Sequence, residues 1–596
     1  EFPKLKRLDL SDSLKLIRIP DIYRLSPDIE EIFLKGCKRL TEVYSSGFLN
    51  KLNCLRLDRC HELRSLTIPS NILSRSSGLI TLSHCYKLET FSIPNRTRGW
   101  DNGTASDSKG ILSRVEGTFD LSYCKSLTSL SFEFDLSKLK FLKKLLLEGC
   151  SNLEIFPEIE DTMENLTVLK LERTAIQALP SSLCRLVALE ELSLHSCASL
   201  ETIPSSIGNL SKLRKLRLTN CESLETFPSS IFMLKLTKLD LSGCSKLRTF
   251  PEILEPAQTF AHVNLTETAI KELPSSFGNL VKLQTLRLNM CTDLESLPNS
   301  IVNLNLLSVL DCSGCAKLTH IPSDIGCLSL LRKLSLSESR IVNLPESIAH
   351  LSSLEILDLS ECKKLQCIPP LPPFLKQQLA FFFTNGQQLD PGAHANIVDE
   401  ARLRMTKNAY RSVFFCFPGS DVPHWFPFCG EGHSITINSG SLNFCSDDRL
   451  IGFALCVIFQ LPDTNDFVGR YCPLSYCLKY ESDNGEHIFP NDDKLKNHFY
   501  WKHRKRTLDQ DHTLLWKYNL EFPGMSRMSR SLPRARSFTF EINPYHYDNF
   551  IERPSVLSIV RYIKSTVKVK ECGICPLYTK EKDDNAGAGN YSKYLK

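Results

Sequence analysis

Residues 192–230 read LSLHSCASLETIPSSIGNLSKLRKLRLTNCESLETFPSS, and the second half of this stretch repeats the first after 24 residues. Leu192 matches Leu216, and Cys197 matches Cys221. A sequence that repeats itself at a fixed period of this size is built from units that stack on their neighbours. The pattern L-x-L-x-x-C predicts a short strand in each unit, with the leucines pointing inward and the intervening residues outward. We expect these strands to pair in one parallel sheet.

The repeat extends over most of the chain. If the Cys197 position is taken as the anchor of a unit, residues 1–375 contain fifteen units. Ser13, Thr174, Thr268 and Ser339 occupy the anchor position where a thiol is expected. Because a hydroxyl can replace the thiol, we interpret the anchor as a small buried side chain that lines the core. The anchor cysteines are Cys37, Cys60, Cys85, Cys124, Cys150, Cys197, Cys221, Cys244, Cys291, Cys315 and Cys362.

The composition excludes several classes of protein. The net charge of +5 on 596 residues gives no case for nucleic-acid binding. The longest apolar run, 450–461, has the length of a buried strand and is too short to span a bilayer. Thiols that recur once per repeat should stay reduced, which favours a cytosolic or nuclear protein. The sequence begins inside a repeat without a signal peptide, so we expect it to be a fragment of a longer protein.

Changes in composition divide the chain into segments. The repeats at 1–375 contain a Gly- and Asn-rich insertion near 94–110, which is interpreted as a tolerated loop in preference to a contact loop. A cluster of prolines ends the repeats, and a linker or cap is expected at 376–409. Strand-like runs separated by Gly, Asp, Asn and Pro predict an all-β sandwich at 410–580. Residues 581–596 are expected to be a flexible tail.

Two features together resemble one protein family. The cysteine-bearing repeats with T-A-I variants resemble the leucine-rich repeats of plant intracellular immune receptors of the TIR type. The run CFPGSDVPHWF at Cys416–Phe426, followed by HSITI at His433–Ile437, resembles the opening of that family's post-repeat domain, the C-JID domain. The resemblance implies an α/β leucine-rich-repeat solenoid, a horseshoe with short parallel strands on its concave face. An all-β sandwich of the jelly-roll or Ig-like type would follow it.

The resemblance also bears on chemistry. Members of this family carry a TIR domain and a nucleotide-binding domain before the repeats, and this sequence contains no G-x-x-x-x-G-K-[ST] phosphate loop. The NAD-cleaving activity that the resemblance implies would belong to the TIR domain. We therefore expect these residues to have no enzymatic activity and no cofactor. Cys572 and Cys575 form a C-x-x-C pair without a second pair at ligand spacing, so no metal is expected.

The outward positions of the strands are the candidate binding residues. They mix both charge signs with short polar groups, whereas a nucleic-acid surface would be more uniformly basic. As a set, they are expected to recognise a protein on the concave face, where complementary charges set specificity. For any single residue, the plainer interpretation of a solvated sheet position is favoured. The residues are Lys170, Glu172, His195, Arg217, Asp240, Arg287, Asn289, Asp311 and Asp358.

The function implied by the resemblance is ligand sensing in a plant immune receptor of the cytosol or nucleus. The partner would be a pathogen effector or a guarded host protein, and in the full-length parent the nucleotide-binding and TIR domains, with oligomerisation on activation. No membrane partner is expected. Two alternatives stay open, namely an extracellular receptor ectodomain and a carbohydrate-binding sandwich. The basic runs between residues 502 and 536 are either nuclear-localisation signals or solvated loops, and solvated loops are favoured.

Overall fold

The computed structural model divides the chain into two compact units, Glu1–Lys317 and Leu318–Lys596. The insertion predicted near 94–110, the tail predicted at 581–596 and the basic run Lys502–Arg506 lie outside the residues that the structure describes. The described residues are 2–68, 72, 78–92, 117–130, 141–372, 378–384, 386, 388–406, 412–441, 448–460, 474–482, 485–488, 511–519, 535–544 and 568–580.

Each repeat of the first unit contributes a three-residue strand to a parallel ladder, as the L-x-L pattern predicts. Neighbouring strands pair in register, with Leu192 opposite Leu216. A short helix, α1 (Ile22–Leu25), follows the first strand. The repeat strands are β1 (Arg7–Asp9), β2 (Glu31–Phe33), β4 (Cys54–Arg56), β6 (Leu79–Thr81), β8 (Thr118–Asp120), β9 (Lys144–Leu146), β10 (Val168–Lys170), β11 (Glu191–Ser193), β12 (Lys215–Arg217), β13 (Lys238–Asp240), β14 (His262–Asn264), β15 (Thr285–Arg287) and β16 (Val309–Asp311).

The anchor thiols join neighbouring repeats. The Sγ atom of Cys197 lies 2.9 Å from the carbonyl oxygen of Leu171 in the preceding repeat. All eleven anchor cysteines donate to the preceding repeat in this way, at 2.9–3.3 Å. Thr174 is also buried, but its hydroxyl donates to Leu171 within its own repeat, at 2.8 Å. A hydroxyl therefore fills the position of the thiol without making the bond to the preceding repeat, although it lies 3.5 Å from the Cys197 thiol of the following repeat.

The residue before each anchor takes a left-handed backbone conformation, which the sequence analysis did not anticipate. In four repeats this residue is Gly36, Gly149, Gly243 or Gly314, with φ between 74° and 77°. In the other repeats it carries a side chain, and φ lies between 58° and 63°. A positive φ costs a residue with a Cβ about 1–2 kcal/mol. The non-glycine residues are Asp12, Arg59, His84, Tyr123, Arg173, Ser196, Asn220, Glu267, Met290, Glu338 and Glu361.

After the anchor, the chain returns through a proline and a short 3₁₀ helix. Pro204, for example, directly precedes the helix Ser205–Asn209, and Ile207 of that helix is fully buried. Proline suits this place because its fixed φ is compatible with the first turn of a helix. The other 3₁₀ helices of the repeats are Ser181–Arg185, Ser229–Met233, Ser275–Asn279, Asn299–Asn303, Ile325–Cys327 and Glu346–His350.

The prediction of one continuous parallel sheet is wrong. In the first unit the ladder stops at β12 and starts again at β13. The unit between them is one residue shorter before its strand, and Leu234 has a ψ of 152° where the equivalent Leu210 has 69°. A second, narrow parallel sheet also runs along the early repeats, formed by β3 (Glu42–Tyr44), β5 (Ser65–Thr67) and β7 (Thr90–Ser92).

In the second unit the ladder passes from the repeats into the sandwich. Repeat strands β17 (Lys333–Ser335) and β18 (Ile356–Asp358) are followed in the parallel ladder by two further strands. The segment predicted as a linker or cap at 376–409 contains the first of these strands and helix α2 (Pro391–Thr406). The sheet continues through β19 (Gln378–Phe382), β20 (Ser412–Pro418), β26 (His512–Asn519), β23 (Asp448–Gln460), β28 (Lys568–Lys580) and β21 (Phe428–Glu431).

A second sheet completes the sandwich. Its strands are ordered β22 (Ser434–Asn438), β27 (Ala535–Pro544), β24 (Leu474–Ser482) and β25 (Gly485–Ile488). The core between the sheets includes Phe414, Trp516, Phe538 and also Ala380 of β19. Ala380 lies opposite Ile356 in register, so the second sheet packs on the face of the ladder that bears Ile356.

A buried arginine holds α2 against the opposite face of this ladder. Arg404 is 0% exposed, and its Nε atom lies 2.5 Å from Oε1 of Glu400. Its Nη2 atom donates to the carbonyl oxygen of Pro372 at 3.3 Å, and its guanidinium lies 4.9 Å from the ring centroid of Phe381. One side chain therefore contacts the end of the repeats, the strand β19 and the helix.

Candidate functional site

In each unit the outward side chains of the repeat strands lie on one side of the ladder, and we call this side the open face. It consists of the first and third residues of each strand and the second residue after it, because side chains alternate along an extended chain. In β11 these residues are Glu191, Ser193 and His195, while Leu192 between them is fully buried. Register pairing places like positions side by side, such as Ser193 opposite Arg217.

The predicted binding residues all lie at open-face positions, but they differ in exposure. Arg217 and Arg287 are exposed. Asn289 is 8% exposed and Asp311 only 1%, and the Asp311 carboxylate accepts from Ser313. Asn289 and Asp311 are therefore not available as direct contacts. The half-buried residues are Lys170, Glu172, His195, Asp240 and Asp358.

Charged groups of the open face form weak pairs across neighbouring strands. Glu191 lies between two cations, 3.5 Å from the Lys215 ammonium and 4.0 Å from the Arg217 guanidinium. The Glu172 carboxylate accepts from the Ser193 hydroxyl at 2.6 Å. Exposed ion pairs of this kind contribute only about 0–1 kcal/mol. The two cations can therefore exchange Glu191 for a carboxylate of a partner at little cost.

His195 has hydroxyl partners on both ring nitrogens. Its Nδ1 atom lies 2.5 Å from Oγ1 of Thr219, and its Nε2 atom lies 3.2 Å from Oγ of Ser196. A catalytic triad needs a carboxylate that orients the imidazole. Among the described residues, no carboxylate accepts a hydrogen bond from the His195 imidazole. The arrangement suits a fixed polar contact and gives no support for a hydrolytic site.

Asp240 is the centre of a second polar network. Its Oδ1 atom accepts from the Ser242 hydroxyl at 2.7 Å and from the Asn264 amide at 3.0 Å, while Lys238 pairs with Oδ2 at 2.8 Å. Burial acts to raise the pKa of Asp240, but the Lys238 ammonium and the Ser242 donors outweigh it and hold the pKa below its usual value. The carboxylate is therefore ionised at neutral pH, and its lone pairs are largely used within the chain.

The sequence analysis missed the open-face residues that precede the first leucine of each strand. Glu191, Lys215, Lys238 and Thr285 occupy this position. The period of two along a strand would have found them, because each lies two or four residues before a candidate residue that the sequence analysis identified.

The described residues give no support for metal binding or for thiol chemistry. The described parts of the chain contain no group of three or more His, Cys, Asp or Glu side chains that could hold a metal ion. Cys572 and Cys575 lie three residues apart on β28, so they point to opposite faces of the strand. Burial raises the pKa of Cys572 to about 11 and that of Cys575 to about 12. Thiols that resist ionisation are poor nucleophiles and poor metal ligands.

Comparison with protein families agrees with this geometry. Residues 230–322 match the leucine-rich repeats of RPS4B-like disease resistance proteins, and residues 417–583 match the C-JID domain. The predicted resemblance to plant TIR-type disease resistance proteins is confirmed. Neither matched model describes a catalytic domain. In the described residues, no helix has the length and apolar character needed to cross a membrane.

Individual relatives align over parts of the chain. The protein SUPPRESSOR OF npr1-1, CONSTITUTIVE 1 of Arabidopsis thaliana is 30% identical over 297 residues, which is 49% of this chain and 20% of that protein. The TMV resistance protein N of Nicotiana glutinosa is 30% identical over 195 residues, 31% of this chain and 16% of that protein. Among solved structures, a leucine-rich repeat protein of Leptospira interrogans is similar with a TM-score of 0.30 and 19% identity, covering 67% of this chain and 94% of that one.

Proposed function

We propose that this chain is the ligand-sensing region of a plant intracellular immune receptor of the cytosol or nucleus. It binds a pathogen effector, directly or through a host protein, with the open face and the C-terminal sandwich. It has no catalytic activity of its own. In a full-length parent it regulates the TIR and nucleotide-binding modules.

An internal duplication carries this proposal. The anchors Cys150, Thr174, Cys197 and Cys221 recur 94 residues later as Cys244, Thr268, Cys291 and Cys315. Parts of the return segments are retained between the two copies, as in the runs TAI and LPSS. All nine open-face positions of β10, β11 and β12 differ from those of β14, β15 and β16. Other positions differ between the copies as well, so the fold tolerates wide variation on this face, and a solenoid commonly uses such a sheet surface to bind a partner.

The differences change the charge of the open face. Lys170 and Glu172 in the first copy correspond to the uncharged Asn264 and Thr266 in the second, and the exposed Arg217 corresponds to the buried Asp311. Ser193 corresponds to Arg287, which is exposed. Electrostatic complementarity sets the specificity and the rate of protein association more than its total free energy. The two copies thus offer a partner two differently charged surfaces on the same scaffold.

The position of the second sheet within the second unit supports a role for the sandwich in binding the same ligand as the last repeats. Within the second unit, its second sheet packs on the same face of the ladder as Ile356 and Asp358. A protein that lies on the open face at Asp358 would therefore meet the second sheet. Binding would regulate the parent receptor only if the ligand has different affinities for its resting and active states.

The test uses charge reversal on the open face. Arg217→Glu and Arg287→Glu should each weaken the binding of an effector found by pull-down with this chain, by about tenfold if the lost pair is largely desolvated. Lys212→Glu is the matched control, since Lys212 is exposed but lies outside the open face. Unchanged affinity in both arginine variants, with thermal melts like the parent's, would reject the proposal for these residues.

A further inference from the structure

Away from the open face, stacked rings cover the turns that follow β4, β6 and β8. The ring centroids of His84 and Tyr123 are 4.6 Å apart with an angle of 3° between the ring planes, and His61 stacks on Tyr86 with 4.9 Å between the centroids. His84 also meets Tyr86 edge-on at 5.8 Å. The four rings therefore form one layer across three successive repeats. We call His61, His84, Tyr86 and Tyr123 the rim cluster.

The repeat fold does not require these side chains. His84 and Tyr123 hold positive φ angles of 62° and 63°, at the position where the next repeat has Gly149. A Cβ atom on Gly149 would lie 2.5 Å from Cδ1 of Tyr123, so the glycine leaves room for the ring. Tyr86 is 36% exposed. The chain thus displays a layer of rings where small residues would satisfy the turn.

Three cations border the rim cluster. The Lys125 ammonium lies 5.3 Å from the centroid of the Tyr86 ring. Arg59 is exposed on the turn that follows β4, and Lys38 is exposed on the turn of the preceding repeat, which follows β2. Within the described part of the chain, none of these three cations forms a salt bridge. We call Lys38, Arg59 and Lys125 the rim cations.

The nearby acids are already engaged. Glu62 pairs with Lys87 at 2.8 Å, and Glu148 accepts from the phenol of Tyr123 at 3.0 Å. Burial, and then the neighbouring cations, lower the pKa of His61, as expected in positively charged surroundings. The rim is therefore a positively charged surface with hydrogen-bond donors.

We propose that the rim cluster and the rim cations bind an acidic segment of a partner protein. Single-stranded nucleic acids bind by stacking bases on open ring faces, but here His84 is stacked on Tyr123 and His61 on Tyr86. The Tyr123 phenol is already engaged with Glu148. The layer still offers ring edges, where the imidazole N–H groups and the Tyr86 hydroxyl, 3.2 Å from Nδ1 of His84, suit carboxylates. Tyrosine and arginine are also the side chains that most often dominate protein interfaces. This surface is separate from the open face, so the inference does not depend on effector binding there.

The probe is a fluorescein-labelled peptide of ten glutamates, titrated with the purified chain at low salt and followed by fluorescence anisotropy. Arg59→Gln combined with Lys125→Gln should weaken binding about fivefold, since each exposed ion pair contributes modestly. Tyr86→Phe keeps the stacked ring and removes the hydroxyl, and should weaken binding about twofold. Lys212→Gln combined with Lys282→Gln is the control, which removes the same charge from exposed positions elsewhere.

A purely structural role predicts a different result. If the rings only support repeat stacking, the Arg59→Gln and Lys125→Gln pair would bind the peptide as tightly as the parent, and this result would overturn the proposal. An equal loss in the control pair would also overturn it, because it would show nonspecific attraction. Tighter binding of a ten-residue thymidine oligonucleotide than of the peptide would assign the surface to nucleic acid instead. Lys38→Gln provides a second variant if the pair does not fold.

Discussion

Replacing anchor thiols should make the repeats less sensitive to alkaline pH. Burial raises the pKa of Cys150, Cys291 and Cys362 to about 12, against 9.0 for an ordinary thiol. The folded state keeps these protons at a pH where the unfolded chain has lost them. The stability that the thiols contribute is therefore fully present below pH 9 and is lost as the pH rises from 9 towards 12. Between pH 9 and pH 12, ionisation of each thiol in the unfolded chain lowers the free energy of unfolding by up to about 1.4 kcal/mol per pH unit.

The variant Cys150→Thr/Cys291→Thr tests this reasoning. At pH 7.5 it loses two hydrogen bonds between repeats, each contributing about 0.5–1.5 kcal/mol, so its free energy of unfolding should fall by about 1–3 kcal/mol. Thr174 and Thr268 show that the anchor position accepts threonine. At pH 10 the free energy of unfolding of the parent is lower than at pH 7.5 by up to about 2.7 kcal/mol through these two thiols, and the variant does not have this loss. The difference between the two proteins should therefore shrink to near zero or reverse.

Urea unfolding followed by circular dichroism, at pH 7.5 and pH 10 with reducing agent, measures both free energies. Cys327→Ser is the control, because Cys327 is exposed and its thiol is already in water in the folded chain. The control should lose as much stability between the two pH values as the parent does. If the double variant also loses the same amount as the parent, the buried thiols are not the source of the alkaline sensitivity.

Two further predictions concern backbone conformation and the junction with the sandwich. Gly243→Ala should lower the free energy of unfolding by about 1–3 kcal/mol, because φ is +77° and the new Cβ would lie 2.2 Å from Oδ1 of Asn220. Adding Asn220→Ala should recover part of this loss, and an equal loss in both backgrounds in urea unfolding would argue against the clash. Arg404→Met should cost about 3–5 kcal/mol, because it leaves Glu400 without its buried partner. Pairing it with Glu400→Gln should restore part of the melting temperature, and a double variant no more stable than Arg404→Met would contradict this explanation.

Features with a strong period could be predicted from the sequence. Leu192 and Leu216 lie opposite each other because the repeat places like residues in register. The run LIGFALCVIFQ forms β23, since a long apolar stretch has the length of a buried strand. The short strands β21 and β25, of four residues each, carry too little apolar periodicity to be recognised.

Features that depend on tertiary contacts could not be predicted. The left-handed conformation at Glu267 follows from the tight turn between strand and anchor, and glutamate has no preference of its own for a positive φ. The burial of Asp311 depends on packing around the strand, whereas its place in L-x-L-x-x indicated only a direction. The role of Arg404 requires Pro372 and Phe381 to be brought beside the helix, and both are distant in sequence.

The fold separates the residues that hold the repeats together from those that vary. The bond from the Cys197 thiol to Leu171 crosses the boundary between repeats inside the core, where its loss is costly. The pair between Glu191 and Arg217 crosses the same kind of boundary in contact with water, where its loss costs little. Substitutions on the open face therefore leave the stacking of the repeats intact. This difference in free energy explains how two copies of the same four repeats could keep their anchors and change every open-face residue.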